Sequence, residues 1–282
     1  VVADDMDMRI THVYRGDEHI NNTPWQINIF RAIAGAGAEL PRYGHCPIIL
    51  GEDGLKLSKR RGAVSVTAYK EAGYLPEAML NYLARLGWSH GDDELFSREQ
   101  MVLWFDGGHL AKSPAQWDPA KLAWVNAHYI KRADDARLAL LTHAELARRG
   151  VGDQRGAADL EHLARAAALF KDRCSTVVEL ADWLSMIFVR VEPAMADLAT
   201  HVTELVRPAL RTLRDRLAQL PAWDKASIAL ALKESLSAHQ IKMPQLAPAV
   251  RVIACGRAQT PSIDAVLALF PRETVLARLA SA

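Results

Sequence analysis

Lys56, Ser58 and Lys59 lie in a turn-rich stretch, Leu50-Gly51-Glu52-Asp53-Gly54-Leu55-Lys56-Leu57-Ser58-Lys59-Arg60-Arg61-Gly62, that sets four cations within six residues. A polyphosphate is the partner such a loop suits. Two lysines three residues apart can reach toward one anion. Each ammonium, on its flexible stem, can follow charge as it moves from a nucleotide's α-phosphate onto a departing pyrophosphate. That is the chemistry of adenylate formation. The stretch is not a Walker loop, because Gly51 and Gly54 stand too close together and no Gly-Lys-Ser/Thr follows the second glycine. A solvated basic loop is the competing reading of the motif taken alone.

The elements that must position these cations begin with Cys46-Pro47-Ile48-Ile49-Leu50, a short β-like run expected to end in a tight Glu52-Asp53-Gly54 turn. Upstream, Arg9–Arg15 with its Ile10-Thr11-His12-Val13 run predicts a buried strand. Gly16-Asp17-Glu18-His19 falls at its carboxyl end, where open α/β sheets place ligand contacts. Thr23 is expected to cap a helix with Pro24 in its first turn, and Trp25, Ile29, Phe30 and Ile33 form an apolar stripe ending near Gly35 and Gly37. The return to Ile48–Leu50 then makes a strand–helix–strand crossover, which favours a parallel sheet.

Beyond the basic loop the signals are helical. Ser65 caps a short helix that stops at Gly73, and Pro76 opens another in which Leu80, Leu83 and Leu86 are expected to face inward. Ser97-Arg98-Glu99-Gln100 is a capping box, and Asp118-Pro119 starts a helix carrying Leu122, Val125 and Tyr129. No comparably strong strand signal returns. Past Ile130 helices are expected near 134–149, 159–171, 176–188, 197–219, 224–238, 245–255, 262–269 and 272–280, punctuated by Gly and Pro. The fold class is therefore α/β followed by all-α.

Composition sets outer bounds. With 282 residues, 50% hydrophobic and 24% charged, the chain has the make-up of an ordinary globular protein of two or three domains. A net charge of +1 provides no global field, so nucleic-acid contact must come from local basic patches. Cys46, Cys174 and Cys255 are too scattered for a zinc site or a disulfide framework, which fits a reducing cytoplasm. No apolar run of membrane-spanning length and no signal peptide occurs, so a soluble, cytoplasmic protein is expected. His45 beside Cys46 reads as a core or strand-end residue rather than a metal ligand, and no protein-bound metal is expected.

The motifs His12-Val13-Tyr14-Arg15-Gly16-Asp17-Glu18-His19, Asn22-Thr23-Pro24, Lys56-Leu57-Ser58-Lys59-Arg60, Gly73-Tyr74-Leu75-Pro76-Glu77-Ala78, Asn81-Tyr82-Leu83-Ala84-Arg85-Leu86-Gly87-Trp88 and Lys121-Leu122-Ala123-Trp124-Val125-Asn126 occur together in order. In that combination the chain resembles the bacterial glutamyl-tRNA synthetases of class I. The resemblance implies three regions: residues 1–64 as the second half of a Rossmann-type catalytic domain, 65–136 as a stem-contact domain, and 137–282 as an α-helical anticodon-binding region, with 137–188 and 189–282 as possible subdomains. It implies ATP with Mg2+, L-glutamate and tRNA(Glu) as partners of an enzyme expected to be monomeric.

Carried over residue by residue, the resemblance makes Lys56 and Lys59 the catalytic lysines that stabilise the triphosphate, with Ser58 between them. Glu18, His19, Ile49 and Leu50 fall beside the ATP, and Arg15 holds the glutamate side-chain carboxylate. A planar, permanently charged fork also suits that task on chemical grounds. Arg173, in Lys171-Asp172-Arg173, and Thr260 and Pro261, in Gln259-Thr260-Pro261, match anticodon-facing segments. For Arg173 a solvated helix end is the alternative, and the row Arg207, Arg211, Arg214, Arg216 is read as solvated or paired, or as following a tRNA backbone. Trp88, Trp104, Trp117 and Trp124 read as packing residues. The family's first signature, a His-Ile-Gly-His-like helix start, is absent from these residues, and Val1-Val2-Ala3-Asp4-Asp5 reads as strand or loop entered from upstream. The expectation is a carboxyl-terminal portion of a longer ligase, inactive in adenylation by itself, with a non-catalytic tRNA-binding module as the alternative.

Overall fold

The computed structural model describes residues 1–57, 65–151 and 157–280, with side chains from residue 160 onward in the last segment. The chain folds as two compact units, Val1–Tyr129 and Ile130–Ala282. The first is α/β and the second all-helical.

In the first unit α1 (Val2–Asp7) precedes β1 (His12–Gly16), so the leading residues are helical rather than the expected strand or loop. A 3-10 turn over Asp17–Asn22 runs directly into α2 (Thr23–Ala34). That continuity corrects the expected cap: Asn22 is the N-cap, already in helical backbone geometry, and makes no side-chain cap bond, while Thr23 is inside the helix with its hydroxyl free for other partners. After α2 the chain returns as β2 (Arg42–Cys46), which pairs in parallel with β1 from His12↔Arg42 to Gly16↔Cys46. The crossover is as expected but its second strand is not the Ile48–Leu50 run. Pro47 has no N–H to give to a ladder and interrupts it. The two residues beyond form β3 (Ile49–Leu50), which pairs in parallel with a strand the sequence did not announce, β4 (Ala115–Gln116). Gly44 is placed where the ring of Tyr14 crosses the backbone, since a Cβ there would lie 2.5 Å from that ring.

The helices α3 (Val66–Glu71), α4 (Pro76–Gly87), α5 (Arg98–Trp104) and α6 (Pro119–Arg132) follow. Ser65 caps α3 and the Ser97/Gln100 capping box opens α5, as read from the sequence. In α4 the inward face is Leu75, Ala78, Met79 and Tyr82, at spacings of three, four and seven residues, while Leu80 and Leu83 are exposed and Leu86 is half-buried. Two asparagines from the sequence motifs act as clips. Buried Asn126 accepts from the Leu75 N–H at 2.8 Å and donates to the Gly73 carbonyl at 3.4 Å. Buried Asn81 donates to the Glu94 carbonyl and accepts from the Phe96 N–H and the Tyr129 hydroxyl. Trp88 and Trp117 pack within aromatic clusters, whereas Trp124 is exposed with the Lys121 ammonium 4.4 Å from its ring centre.

The second unit continues from the end of α6 through α7 (Asp135–Arg148), α8 (Ala157–Phe170), a 3-10 turn at Lys171–Arg173, α9 (Val177–Phe188), α10 (Met195–His201), α11 (Arg207–Ala218), α12 (Lys225–His239), α13 (Met243–Cys255), α14 (Ile263–Leu267) and α15 (Arg272–Ala280). The expected single helix over 197–219 is two. Pro208 sits in the first turn of α11, where its missing N–H does no harm, whereas inside a continuous helix it would remove a hydrogen bond and crowd the carbonyl one turn back. The core is aliphatic, with Leu138, Leu163, Leu180, Leu210, Leu246 and Val250 fully buried. Arg278 is buried as well. Its guanidinium donates to the carbonyls of Met186 and Ala254, in the last turns of α9 and α13, where the helix dipoles favour a cation.

Candidate functional site

Arg15 lies in β1 just ahead of the sheet's carboxyl edge. Its Nε donates to His45 Nε2 at 3.3 Å, Nη1 to Gln26 Oε1 at 2.7 Å and Nη2 to Thr23 Oγ1 at 2.7 Å. The guanidinium carbon stands 5.4 Å from the centre of the Tyr43 ring. Because Arg15 can only donate, His45 Nε2 must accept, which places the imidazole proton on Nδ1. The parallel pairing of Arg15 with His45 in the β1–β2 ladder brings these two side chains together. Thr23 and Gln26 come from one face of α2's first turn. All three partners are neutral, and no carboxylate among the described residues pairs with Arg15. A half-buried guanidinium fixed by neutral acceptors, with further N–H groups to spare, is built to receive an anion of planar, two-oxygen geometry.

Three residues beyond Arg15, Glu18 Oε1 lies 3.2 Å from Lys56 Nζ. A hydrogen bond from its own backbone N–H, and then the Lys56 ammonium, holds the Glu18 carboxyl below its usual range. Gly16 makes room for this, since a Cβ there would fall 2.1 Å from Glu18 Oε2. His19 is exposed and its ring meets Asn22 at 3.2 Å.

Lys56 is aimed by a tight hairpin. The Gly51 N–H donates to the Leu55 carbonyl at 2.8 Å, the Gly54 N–H to the Gly51 carbonyl at 3.0 Å, and the Leu55 N–H to Asp53 Oδ1 at 3.0 Å. Gly54 takes φ +72°, a conformation that favours glycine. Ile49 and Leu50 are half-buried, their carbonyls occupied by the N–H groups of Leu57 and Trp117. Ser58 and Lys59 lie outside the described residues. The structure thus brings Glu18 to Lys56 and surrounds Arg15 with a collar. The sequence had marked Arg15, Glu18 and Lys56, but not Gln26, and had read Thr23 as a cap and His45 as a core or strand-end residue. The signal for the collar was the register of β1 on β2, which a single sequence does not display.

In the helical unit Lys171 is tied down, its ammonium on the Asp135 carboxylate at 2.7 Å and the Ala133 carbonyl at 3.0 Å. Asp172 lies 3.8 Å from Lys131. Arg173, next in the same turn, is exposed and has no hydrogen-bond or ion-pair partner among the described residues. Thr260 is buried, its hydroxyl accepting from Arg251 Nε at 3.1 Å and donating to the Pro261 carbonyl at 3.0 Å, while Pro261 is half-buried. In the arginine row of α11, Arg207, Arg214 and Arg216 pair with Glu204, Asp215 and Glu234, leaving Arg211 exposed. Burial pushes the thiols of Cys174 and Cys255 up to about 12, so neither is a nucleophile at neutral pH. No group of three or more potential metal ligands occurs among the described residues, and no helix among them is long and apolar enough to cross a membrane.

Residues 1–124 match the family of class I tRNA synthetases (E and Q), catalytic domain, and residues 137–282 match the anticodon binding domain. A glutamate–tRNA ligase from Leptothrix cholodnii is 59% identical, and one from Paracidovorax citrulli 58%, each over 100% of this chain and 58% of the relative. A third, from Ralstonia nicotianae, is 56% identical over 99% of the chain and 59% of its own length. The crystal structure of a glutamate tRNA ligase from Elizabethkingia meningosepticum in complex with its amino acid shares the fold, with a TM-score of 0.83 at 23% identity over 99% of this chain and 58% of that one. The chain belongs to the class I tRNA synthetases, and within them to the bacterial glutamate–tRNA ligases. It spans a little under three-fifths of the length of these relatives.

Proposed function

We propose that the protein activates L-glutamate with ATP, supplied as its Mg2+ complex, to glutamyl-adenylate, and passes the glutamyl group to the 3′ end of tRNA(Glu), acting as a cytoplasmic monomer. The observation that carries the reading is Arg15, a guanidinium held by three neutral partners and unpaired with any described carboxylate. It receives the substrate's side-chain carboxylate, and the permanence of its charge favours glutamate over glutamine. Lys56, with Lys59 beyond it, stabilises the negative charge that accumulates on the departing pyrophosphate; magnesium arrives with the nucleotide, held by phosphate oxygens and water. Glu18, His19, Ile49 and Leu50 line the nucleotide. Residues 1–64 act as the catalytic portion, 65–136 contact the tRNA stem, and 137–282 read the anticodon through Arg173, with Thr260 and Pro261 shaping a second segment.

The 282 residues contain no His-Ile-Gly-His-like signature. On that observation we propose that by themselves they bind tRNA without forming adenylate. The test is glutamate-dependent exchange of pyrophosphate into ATP, measured with and without tRNA(Glu), on the protein expressed from its native gene and on the 282-residue chain. Exchange by the former and none by the latter is expected. No exchange by either, with salt-sensitive tRNA binding retained, would replace catalysis by a tRNA-binding role.

A further inference from the structure

The collar around Arg15 is chemically selective in a way its bonding alone does not require. Three side chains from two elements supply acceptors to the guanidinium: Thr23 Oγ1 and Gln26 Oε1 from α2, and His45 Nε2 from β2. A structural arginine at this depth ordinarily meets a carboxylate, the strongest partner available to it. At Gln26 a carboxylate of the same length would fit the same 2.7 Å contact. Instead an amide stands there, fixing direction without neutralising charge. The Tyr43 ring, 5.4 Å from the guanidinium carbon, adds a fourth neutral contact. Thr23 is itself anchored, its Oγ1 lying 3.2 Å from the His19 carbonyl and 3.1 Å from His45 Nε2, so the collar is one connected network.

We propose that Gln26, with Thr23 and His45, is a positioning residue that aims the Arg15 fork while keeping its charge unspent, so that the amino acid's side-chain carboxylate is the first anion it meets. This rests on the reading of Arg15 as the carboxylate-binding group. Gln26 does not touch substrate. Its neutrality sets amino-acid affinity and the preference for glutamate over uncharged side chains.

Gln26→Glu separates this from a merely structural role, because it preserves the side chain's length and the acceptor to Arg15 while adding a charge. In pyrophosphate exchange by the protein expressed from its native gene, we expect the KM for glutamate to rise about tenfold or more, with kcat within about threefold and KM for ATP unchanged, an internal carboxylate now competing with the substrate's. The preference for glutamate over glutamine should fall in parallel. Gln26→Met, neutral and of similar length but without the acceptor, should raise the glutamate KM only a few-fold through loss of aim; it also reads the contact if the acidic variant fails to fold. A glutamate KM within twofold of the unaltered protein in folded Gln26→Glu, or equal losses of kcat and melting temperature in both variants, would overturn the inference while leaving the ligase reading intact. Absence of glutamate-dependent exchange in the unaltered protein would remove both.

Discussion

Lys56 Nζ lies 3.2 Å from Glu18 Oε1, so the ammonium expected to meet a triphosphate is held at rest by a carboxylate 38 residues upstream, in the 3-10 turn that follows β1. The pair is solvent-exposed, with 53% and 44% of the two side chains accessible, and contributes little to stability. It restrains the direction of Lys56 and can be displaced by a more highly charged anion.

Removing either partner should therefore act in opposite directions. Lys56→Met is expected to lower kcat for adenylate formation about a hundredfold, the scale of losing one preorganised group that stabilises transition-state charge, with an unchanged melting temperature. Glu18→Gln, and Gly16→Ala, which must push the Glu18 carboxylate aside, should tighten product inhibition by pyrophosphate about threefold by releasing the lysine. Product-inhibition kinetics decide. Weaker inhibition in both would mean that Glu18 orients Lys56 productively rather than restraining it.

A second prediction concerns Arg278. Its guanidinium is enclosed in the helical unit and supplies donors to carbonyls of α9 and α13 that no N–H of their own helices reaches. Arg278→Leu fits the volume but orphans both carbonyls. The expected cost is about 3 kcal/mol, or roughly 6–12 °C in melting temperature for a unit of this size, seen by calorimetry. Arg278→Lys should recover part of it, since one ammonium cannot hold two diverging carbonyls in a planar fork.

How far the sequence foretold these features depended on whether the cause was local. Ser65 and Ser97 cap their helices in the structure with the side-chain bonds their residue types predict, because capping needs only two or three neighbouring residues. Arg15, Glu18 and Lys56 stood out in the sequence because of the motifs that carry them, and of the three the structure joins Glu18 to Lys56. What failed was whatever depended on a distant partner. The stripe Trp25, Ile29, Ile33 forms as spaced, yet Trp25 is 71% exposed and only Phe30 of that helix is buried, because spacing fixes which residues share a face and not what covers it. Likewise the two-residue strand β4 exists only because Ile49–Leu50 pairs with it. Gln26's part in the site depends on three elements at once, and no window along the chain contains them.

The third prediction is a pH dependence. Glu145 is nearly buried on α7, with Arg148 as a bidentate partner at 2.8 Å and Arg149 Nε at 2.6 Å, and these guanidinium groups, Arg148 foremost, hold its carboxyl at about 2. Arg149 extends the network to Asp182 and to the Val178 carbonyl on α9. Since the folded-state value lies below the ordinary 4.5, the stabilisation is fully present above that value and is lost as pH falls toward 2. Screening at the exposed Arg148 limits it to about 1–2 kcal/mol. Glu145→Gln should melt several degrees lower than the unaltered protein at pH 7, and the gap should narrow as pH falls below about 4.5 and close near pH 2. A gap independent of pH would assign the loss to packing rather than charge.

The fourth prediction turns on Arg173. Its neighbours in the 3-10 turn are both occupied, Lys171 by Asp135 and the Ala133 carbonyl and Asp172 by Lys131, so the turn is fixed while the arginine projects with no partner among the described residues. An exposed guanidinium on a restrained backbone can offer paired donors to a base edge at little entropic cost. Arg173→Gln should lower kcat/KM for tRNA(Glu) by about 5- to 150-fold, leaving the melting temperature and pyrophosphate exchange at saturating tRNA unchanged. Lys171→Met, which loosens the turn but keeps the arginine, should give a smaller loss of the same kind. The two variants separate base reading from phosphate contact. A base-reading Arg173 changes the ratio of charging between tRNA(Glu) and tRNA(Gln) at every salt concentration, whereas a phosphate contact weakens both tRNAs alike and reduces the salt dependence by about one unit of slope.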